Sequence, residues 1–142
     1  MLFRSSRHGA IVVNAGTTMT VDALSRDGVF LGGVIVPGLA LMRTSLDRGT
    51  AQLRLQDGCF VQFPDNTADA IMSGAVNALL GAIERMWNFL SNTGSALPVI
   101  LLSGGAAPAL MVQLQAGPLS SRVVSIDNLV LDGLLEIARD SG

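Results

Sequence analysis

The chain carries no charged side chain from Met86 to Ser121, and no other feature constrains its fold as strongly. A largely apolar stretch of this length has to be buried, because folding removes apolar surface from water. Asn92, Pro98 and Ser103-Gly104-Gly105 interrupt it before about 18 apolar residues accumulate, so it is too broken for a membrane helix. We therefore expect buried strand and helix here, within a chain of 142 residues that fits one domain.

Three strands are predicted ahead of that stretch. The run Ala10 to Ala15 indicates a buried strand, and Gly16-Thr17-Thr18 turns it into a second strand in which apolar and polar residues alternate. A third strand, Val29 to Val36, follows the Asp27-Gly28 turn and ends at Pro37-Gly38. Short turns of this kind are typical of β-hairpins.

Helices alternate with single strands in the rest of the chain. Asn66 or Thr67 is expected to cap the longest helix, whose apolar residues recur at helical spacing up to Leu90. Small residues that would let another backbone approach form a second face of this helix, and they are Gly74, Ala78, Gly81 and Ala82. The other predicted elements are Leu39 to about Leu46, Val99 to Leu102, Pro108 to about Gln115, Val123 to Ile126 and Leu129 to Arg139. The predicted fold class is α/β, a mixed sheet flanked by helices.

The residue counts exclude several chemistries. All nine basic residues are arginine, so the chain has no lysine for a Walker-type phosphate loop. Cys59 and His8 are the only cysteine and histidine, which excludes Cys/His zinc sites and intrachain disulfides and fits a reducing cytoplasm. A net charge of −2 without a basic stripe predicts no nucleic-acid partner, and no membrane segment is expected.

The turn Gly16-Thr17-Thr18 is the first candidate binding site. Glycine at position 16 is expected to let the hairpin bend, so that backbone N–H groups converge there. Together with two threonine hydroxyls, these groups could hold a phosphate without a lysine. An ordinary hairpin with a Gly-Thr turn explains the same residues. Asp22 on the second strand could hold a cation through water, or it is an exposed strand carboxylate.

Further glycine pairs leave similar alternatives open. Gly32-Gly33 could receive a flat ring against the backbone or form a β-bulge, and Ser103-Gly104-Gly105 could contact a nucleotide or simply connect a strand to a helix. Arg48 and Thr50 could read a carboxylate or hydroxyl of a small ligand, or form a solvated helix end. Cys59 is expected to be packed and inert.

These motifs form an ordered set along the chain: Val12 to Asp22, Leu31 to Gly38, Thr50-Ala51-Gln52-Leu53, Asn66-Thr67, Ser73-Gly74 and Leu102 to Gly105. In this order they resemble the C-terminal half of the type III pantothenate kinases, the CoaX family that includes Bvg accessory factor. The resemblance runs from about Ala10 to Arg139, and the ordered set is far more specific than any single motif.

The resemblance implies one of the two related domains of the acetate kinase, sugar kinase, Hsp70 and actin-like fold, which is ribonuclease H-like. It also implies a homodimer that uses ATP with Mg²⁺ to phosphorylate pantothenate, the first step of coenzyme A synthesis. The first turn would be a phosphate motif, Gly32-Gly33 with Pro37-Gly38 an adenosine motif, and Thr50 a pantothenate contact made across the dimer. The expected ATP-binding residues are Gly16, Thr17, Thr18, Gly32, Gly33, Gly104 and Gly105.

The sequence departs from the family pattern in its motifs for catalysis. No Asp-x-Gly-Asn motif precedes Asn14, and no Gly-x-Asp-Arg segment supplies the aspartate expected to deprotonate pantothenate. We therefore expect residues 1–9 to be a disordered or truncated leader and residues 10–142 to be the C-terminal domain. The chain by itself would then be inactive, and the missing half would be supplied either by another chain or by sequence upstream of Met1.

A second departure concerns Asn14, which stands where many family members have a cation-binding aspartate. An amide offers one neutral oxygen to K⁺ or NH₄⁺ and no charge. Two other functions remain open at this point. One is a non-catalytic accessory homologue that dimerises and at most binds nucleotide, and the other is an unrelated small-ligand binder.

Overall fold

A computed structural model of the chain describes residues 8–49, 57–94 and 96–126. In chain order the elements are β1 Ala10–Ala15, β2 Thr18–Leu24, β3 Phe30–Pro37, α1 Leu39–Gly49, α2 Thr67–Ser91, β4 Val99–Ser103, α3 Ala107–Ala116, a 3₁₀ turn Ser120–Arg122 and β5 Val123–Ser125. The predicted order of these elements is confirmed, and α1 continues past its predicted end at Leu46. The helix predicted from Leu129 to Arg139 lies outside the described residues.

The strands form one sheet in the order β3-β2-β1-β4-β5. The two hairpins pair β1 with β2 and β2 with β3 antiparallel, whereas β4 and β5 run parallel to β1 and to each other. A two-residue or similarly short turn can only reverse a strand, while a helical crossover is long enough to return the chain in the same direction. The carboxyl ends of β1, β3, β4 and β5 therefore meet at one edge of the sheet, which we call the carboxyl edge.

The core lies between one face of this sheet and helices α2 and α3. Alternate strand residues point to that face and have no measurable exposure, among them Ile11, Val13, Met19, Val21, Ile100 and Leu102. They pack against Leu79 and Ile83 of α2 and Leu110 of α3. Each such side chain contributes about 1.5–3 kcal/mol through removal from water. The residues in between, such as Asn14 and Asp22, lie on the opposite face and are only partly buried.

Helix α2 begins at the predicted cap. The Asn66 side-chain oxygen accepts a hydrogen bond from Asp69 N–H at 3.0 Å, and the Asn66 amide donates to the Asp69 carboxylate at 2.8 Å. At the other end of the helix, Trp87 Nε1–H donates to the carbonyl of Pro98 at 2.9 Å. This bond ties the C-terminal part of α2 to the residue that precedes β4.

Cys59 is exposed, so the expectation that it is packed is wrong. Two main-chain N–H groups of its segment bond to side chains of α2. Cys59 N–H donates to Asp69 Oδ1 at 2.8 Å, and Val61 N–H donates to Ser73 Oγ at 2.9 Å. In an extended segment neighbouring side chains face opposite ways, and here Phe60 is the one that packs against the core. Apolar composition alone could not assign which of the two side chains faces in.

None of the helices in the described ranges is long and apolar enough to cross a membrane.

The hydrogen bonds to Asp69 predict a specific acid sensitivity. The backbone N–H of Cys59, followed by the Asn66 side chain, lowers the pKa of Asp69 below its ordinary 3.8. A lowered pKa in the folded state stabilises the fold above 3.8, and this contribution is lost as the pH falls from there through the lower folded value. We expect Asp69→Asn to be less stable than wild type at neutral pH, with the difference closing below pH 3.8.

Urea unfolding at a series of pH values measures this effect. Asp27→Asn is the matched control, because Asp27 is an exposed carboxylate with no hydrogen bond to any described residue. Its free energy of unfolding should follow that of wild type throughout. A constant difference between Asp69→Asn and wild type down to pH 2 would contradict the proposed role of the Asp69 carboxylate.

Candidate functional site

The turn from Gly16 to Thr18 joins β1 to β2 at the carboxyl edge. It is closed by Gly16 N–H, which donates to the carbonyl of Thr18 at 3.1 Å. All three residues are exposed, and the hydroxyls of Thr17 and Thr18 make no hydrogen bond to any residue in the described part of the chain. The turn therefore presents two free hydroxyls to solvent, which are suitable donors to an anionic ligand.

Gly16 has a different role from the one that its sequence suggested. Its φ lies outside the left-handed region, and a Cβ added there would come no closer than 3.6 Å to the Thr18 carbonyl oxygen. The turn would therefore accept a side chain, contrary to the expectation that glycine is needed for the bend. Its N–H is also occupied within the turn, so the donors left for a ligand lie on Thr17 and Thr18.

A second turn, Ser103-Gly104-Gly105, packs directly against the end of β1. Gly104 has φ +104°, and a Cβ on it would lie 2.5 Å from the Ala15 carbonyl oxygen. That oxygen accepts a hydrogen bond from Ala106 N–H at 3.0 Å. Only glycine allows this backbone conformation and this approach together. The turn leads at once into α3, so the N-terminus of α3 lies beside the end of β1.

The third turn is Pro37-Gly38 at the end of β3. Pro37 pairs with Thr18 across the sheet, and Gly38 N–H donates to the carbonyl of Thr17 at 2.9 Å. The Gly38 carbonyl in turn accepts from Met42 N–H at 2.9 Å, which begins α1. We call the three turns Gly16-Thr17-Thr18, Pro37-Gly38 and Ser103-Gly104-Gly105 the turn cluster.

The turn cluster has the electrostatic character of an anion site. Helices α1 and α3 both begin in it, and a helix N-terminus carries a partial positive charge. At α3 this charge acts without the first N–H groups, because those of Ala106 and Ala107 already bond to Ala15 and Gly104 and Pro108 has none. Together with the Thr17 and Thr18 donors, these ends favour a phosphate or carboxylate without any lysine or arginine. The carboxyl edge is also where open α/β sheets usually bind ligands.

Gly32 and Gly33 do not belong to the turn cluster. Gly33 pairs with Asp22, and a Cβ on Gly33 would collide with the Asp22 carboxylate, which occupies the vacant space. Gly32 has φ +135° and lies beside a register shift between Ala23 and Leu24, so the β-bulge interpretation of this pair is confirmed. Pro37 lies four positions after Gly33, which is about 13 Å along a strand.

Local sequence patterns did not reveal the contact between Gly38 and Thr17. The signal that could have revealed it is the pair of hairpins, because two successive hairpins place the end of β3 next to the start of β2. Thr50, the predicted pantothenate contact, lies outside the described residues.

Oxygen ligands near the turn cluster are sparse. Asn14 lies directly opposite Thr20 of β2 and Ser103 of β4, so three polar side chains share one row of the sheet. Burial raises the pKa of Asp22, which lies further down β2. In the ranges that the structure describes, no group of three or more His, Cys, Asp or Glu residues could hold a metal ion. The described residues therefore do not fit a carboxylate cage for Mg²⁺.

Comparison with solved structures identifies the class of fold. The chain superposes on a Baf family transcriptional activator from Campylobacter jejuni with a TM-score of 0.62, at 20% identity over 98% of this chain and 61% of that chain. A ParM protein and an Alp12 filament protein superpose with TM-scores of 0.56 and 0.55, at 15% and 14% identity, each over 94% of this chain and 47% of the other. The chain has the actin-like ATPase fold that the sequence predicted, as one mixed sheet flanked by helices.

Sequence comparison then assigns the family. Residues 2–89 match the type III pantothenate kinase family. Type III pantothenate kinases from Nitrosospira multiformis and Leptothrix cholodnii are 52% and 50% identical over 95% and 92% of this chain. The chain belongs to the type III pantothenate kinase family, as the motifs indicated. It spans only 50% and 48% of the length of these two relatives.

The geometry of the turn cluster predicts opposite outcomes for two adjacent glycines. Gly104→Ala should lower the free energy of unfolding by about 1–3 kcal/mol, because the backbone there is left-handed and the new Cβ would meet Ala15. Gly105→Ala is the matched control, since a Cβ at Gly105 meets no atom within 4 Å. It should be neutral or stabilising by up to about 1 kcal/mol. Urea denaturation of both variants checks this, and equal effects would contradict the geometry.

Proposed function

We propose that this chain supplies the C-terminal half of a type III pantothenate kinase, which transfers phosphate from ATP to pantothenate and so forms 4'-phosphopantothenate. This is the first step of coenzyme A synthesis. The observation that carries the proposal is the turn cluster, in which three glycine turns, two free threonine hydroxyls and two helix N-termini meet at the carboxyl edge. The chain's membership of the family makes ATP phosphate the natural ligand for such a site.

The proposed roles follow from position. Thr17 and Thr18 donate to phosphate oxygens, and Gly104 and Gly105 leave room for the nucleotide beside them. Gly32 and Gly33 are proposed to contact the adenosine. The nucleotide would then lie along β3, with its phosphates at the turn cluster. Gly16 contributes by keeping the approach to the turn open rather than by donating its N–H.

Other roles in the reaction are proposed to come from outside the described residues. Thr50 contacts pantothenate across the dimer, and Mg²⁺ enters with ATP, held by phosphate and water rather than by a carboxylate cage. A monovalent cation would have only the neutral Asn14 oxygen at this position. No residue of this chain is assigned as the general base, so the aspartate of a separate N-terminal half is proposed to fill that role. We place the enzyme in the cytoplasm, in keeping with its lone, unpaired Cys59.

The test is reconstitution. The chain alone should form no phosphopantothenate from ATP and pantothenate, whereas adding an N-terminal half that carries the Asp-x-Gly-Asn and Gly-x-Asp-Arg motifs should restore activity. In the reconstituted enzyme, Thr17→Val should lower kcat/KM for ATP by about 10- to 100-fold, because a phosphate oxygen left unpaired costs about 1–3 kcal/mol.

Thr44→Val is the matched control for Thr17→Val. Thr44 carries an exposed hydroxyl on α1 that donates to the Ala40 carbonyl, and it lies outside the turn cluster. Its kcat/KM should stay within about twofold of wild type. Ordinary kinase activity from the chain alone would show that no second half is required. A reconstituted mixture that binds ATP but never forms product would instead favour the accessory homologue.

The exposed face of α2 is proposed to form a homodimer. Gly74, Ala78 and Gly81 are all exposed, and a Cβ added at either glycine would meet no atom within 4 Å. The same side of the helix continues to Phe89, which is 53% exposed under the guanidinium of Arg85. A small-residue surface with an adjacent aromatic ring allows the same helix of a second copy to approach closely. Ala82 is partly buried against the core and does not belong to this face.

An introduced charge tests this interface. Ala78→Arg should convert a dimer to a monomer in sedimentation velocity, because a long cation would replace a methyl group in the close contact between helices. Gln115→Arg on α3 adds the same side chain at another exposed position and should leave the dimer intact. A wild-type monomer at micromolar concentration, or a dimer that tolerates Ala78→Arg, would contradict the proposal.

A further inference from the structure

We infer that Gly38 is a positioning residue for the Thr17 phosphate contact, acting through the main chain of the Gly16-Thr17-Thr18 turn. This inference rests on the proposed function, because it assumes that Thr17 faces a nucleotide phosphate. It gives Gly38 a role separate from the adenosine motif in which its sequence places it.

The contact between Gly38 and the turn consists only of main-chain atoms. Gly38 N–H donates to the Thr17 carbonyl at 2.9 Å. A Cβ on Gly38 would collide with the Gly16 carbonyl oxygen and lie 2.5 Å from the Thr17 carbonyl oxygen. Because these obstacles are backbone atoms of a tight turn, no side-chain rotation can relieve them. Any residue other than glycine must displace the turn itself.

This contact determines where Thr17 directs its N–H. The described peptide bonds are all trans, and in a trans peptide the carbonyl and the N–H point in opposite directions. The Gly16 carbonyl lies against Gly38, so the N–H of Thr17 in the same peptide points away from Gly38. Thr17 is exposed there, and its N–H has no acceptor among the residues that the structure describes. The contact with Gly38 thus keeps the free N–H of Thr17 directed toward solvent.

Gly38 also links the turn to two larger elements. It follows Pro37, the last residue of β3, and its carbonyl accepts the first hydrogen bond of α1 from Met42 N–H at 2.9 Å. The N-terminus of α1 and the Thr17 donors are therefore held at a fixed separation by one residue. A shift of about 1 Å in such a group is enough to weaken a phosphate contact severely.

Gly58 provides a matched control for Gly38. A Cβ on Gly58 would also collide with main-chain atoms, including the Ala68 carbonyl oxygen, and would lie 2.8 Å from Asp69 N. Its neighbours belong to the start of α2 and not to the turn cluster. Gly38→Ala and Gly58→Ala should therefore both destabilise the fold, but only Gly38→Ala should affect the nucleotide contact.

The experiment is an NMR titration of the full chain with ATP and Mg²⁺, following backbone amide signals. In wild type, the amides of Thr17 and Gly38 should shift together while that of Gly58 stays unchanged. Gly38→Ala should raise the Kd for ATP about tenfold, the value of one hydrogen bond to a charged group, and Gly58→Ala should leave it within about twofold. Adding Thr17→Val to Gly38→Ala should weaken binding by less than the two single effects combined, because a displaced turn already misplaces the Thr17 hydroxyl that Thr17→Val removes.

The outcomes separate this inference from the proposed function. If wild type shows no shift with ATP, the proposed nucleotide site is wrong and the inference falls with it. If wild type binds but Gly38→Ala and Gly58→Ala weaken binding equally, or the Thr17 and Gly38 effects add fully, only the role of Gly38 is overturned. Should Gly38→Ala fail to fold, the wild-type titration decides: a Thr17 shift without a Gly38 shift would contradict the coupling.

Discussion

The site depends on close packing between main-chain atoms at the carboxyl edge of the sheet. The carbonyl oxygens of Ala15 and Thr17 each accept a hydrogen bond from a neighbouring turn, through Ala106 N–H and Gly38 N–H respectively. Strand ends approach this closely only where no side chain intervenes, as at Gly38 and Gly104. Hydrophobic packing on α2 and α3 brings the strand ends together, and these bonds then set their relative positions.

Helix α2 also fixes the position of the segment that precedes it in the chain. Its first two turns hold the segment around Cys59 through Asp69 and Ser73, and Arg43 of α1 forms an ion pair with Asp57 at 3.1 Å. Arg43 and Asp57 lie on either side of residues 50–56, which carry the family's expected pantothenate contact. The two flanks of that segment are therefore anchored to each other and to the same helix that presents the proposed dimer face.

The absence of lysine from the sequence shapes the chemistry that the turn cluster can perform. Its donors are hydroxyls, backbone N–H groups and helix ends, which can orient a phosphate and stabilise negative charge. None of these groups accepts a proton from a substrate hydroxyl. A site of this kind is suited to holding an anion such as phosphate, and phosphoryl transfer to an alcohol would require a base from elsewhere. For this reason the proposal divides the reaction between two halves.

The sequence by itself determined the order of the elements, the inward residues such as Met19 and Val21, the Asn66 cap and the family, because periodicity, capping and motif order are local properties of a chain. Local sequence patterns placed neither Gly38 beside Thr17 nor Cys59 at the surface. Such contacts depend on strand order and register, and a shift of one residue would reverse every side chain. The glycine pair 32–33 and Gly38 belong to one sequence motif, yet they lie apart in the tertiary structure. The pair lies within β3 and Gly38 lies just beyond its end, and each residue of an extended strand adds about 3.3 Å to the distance between them.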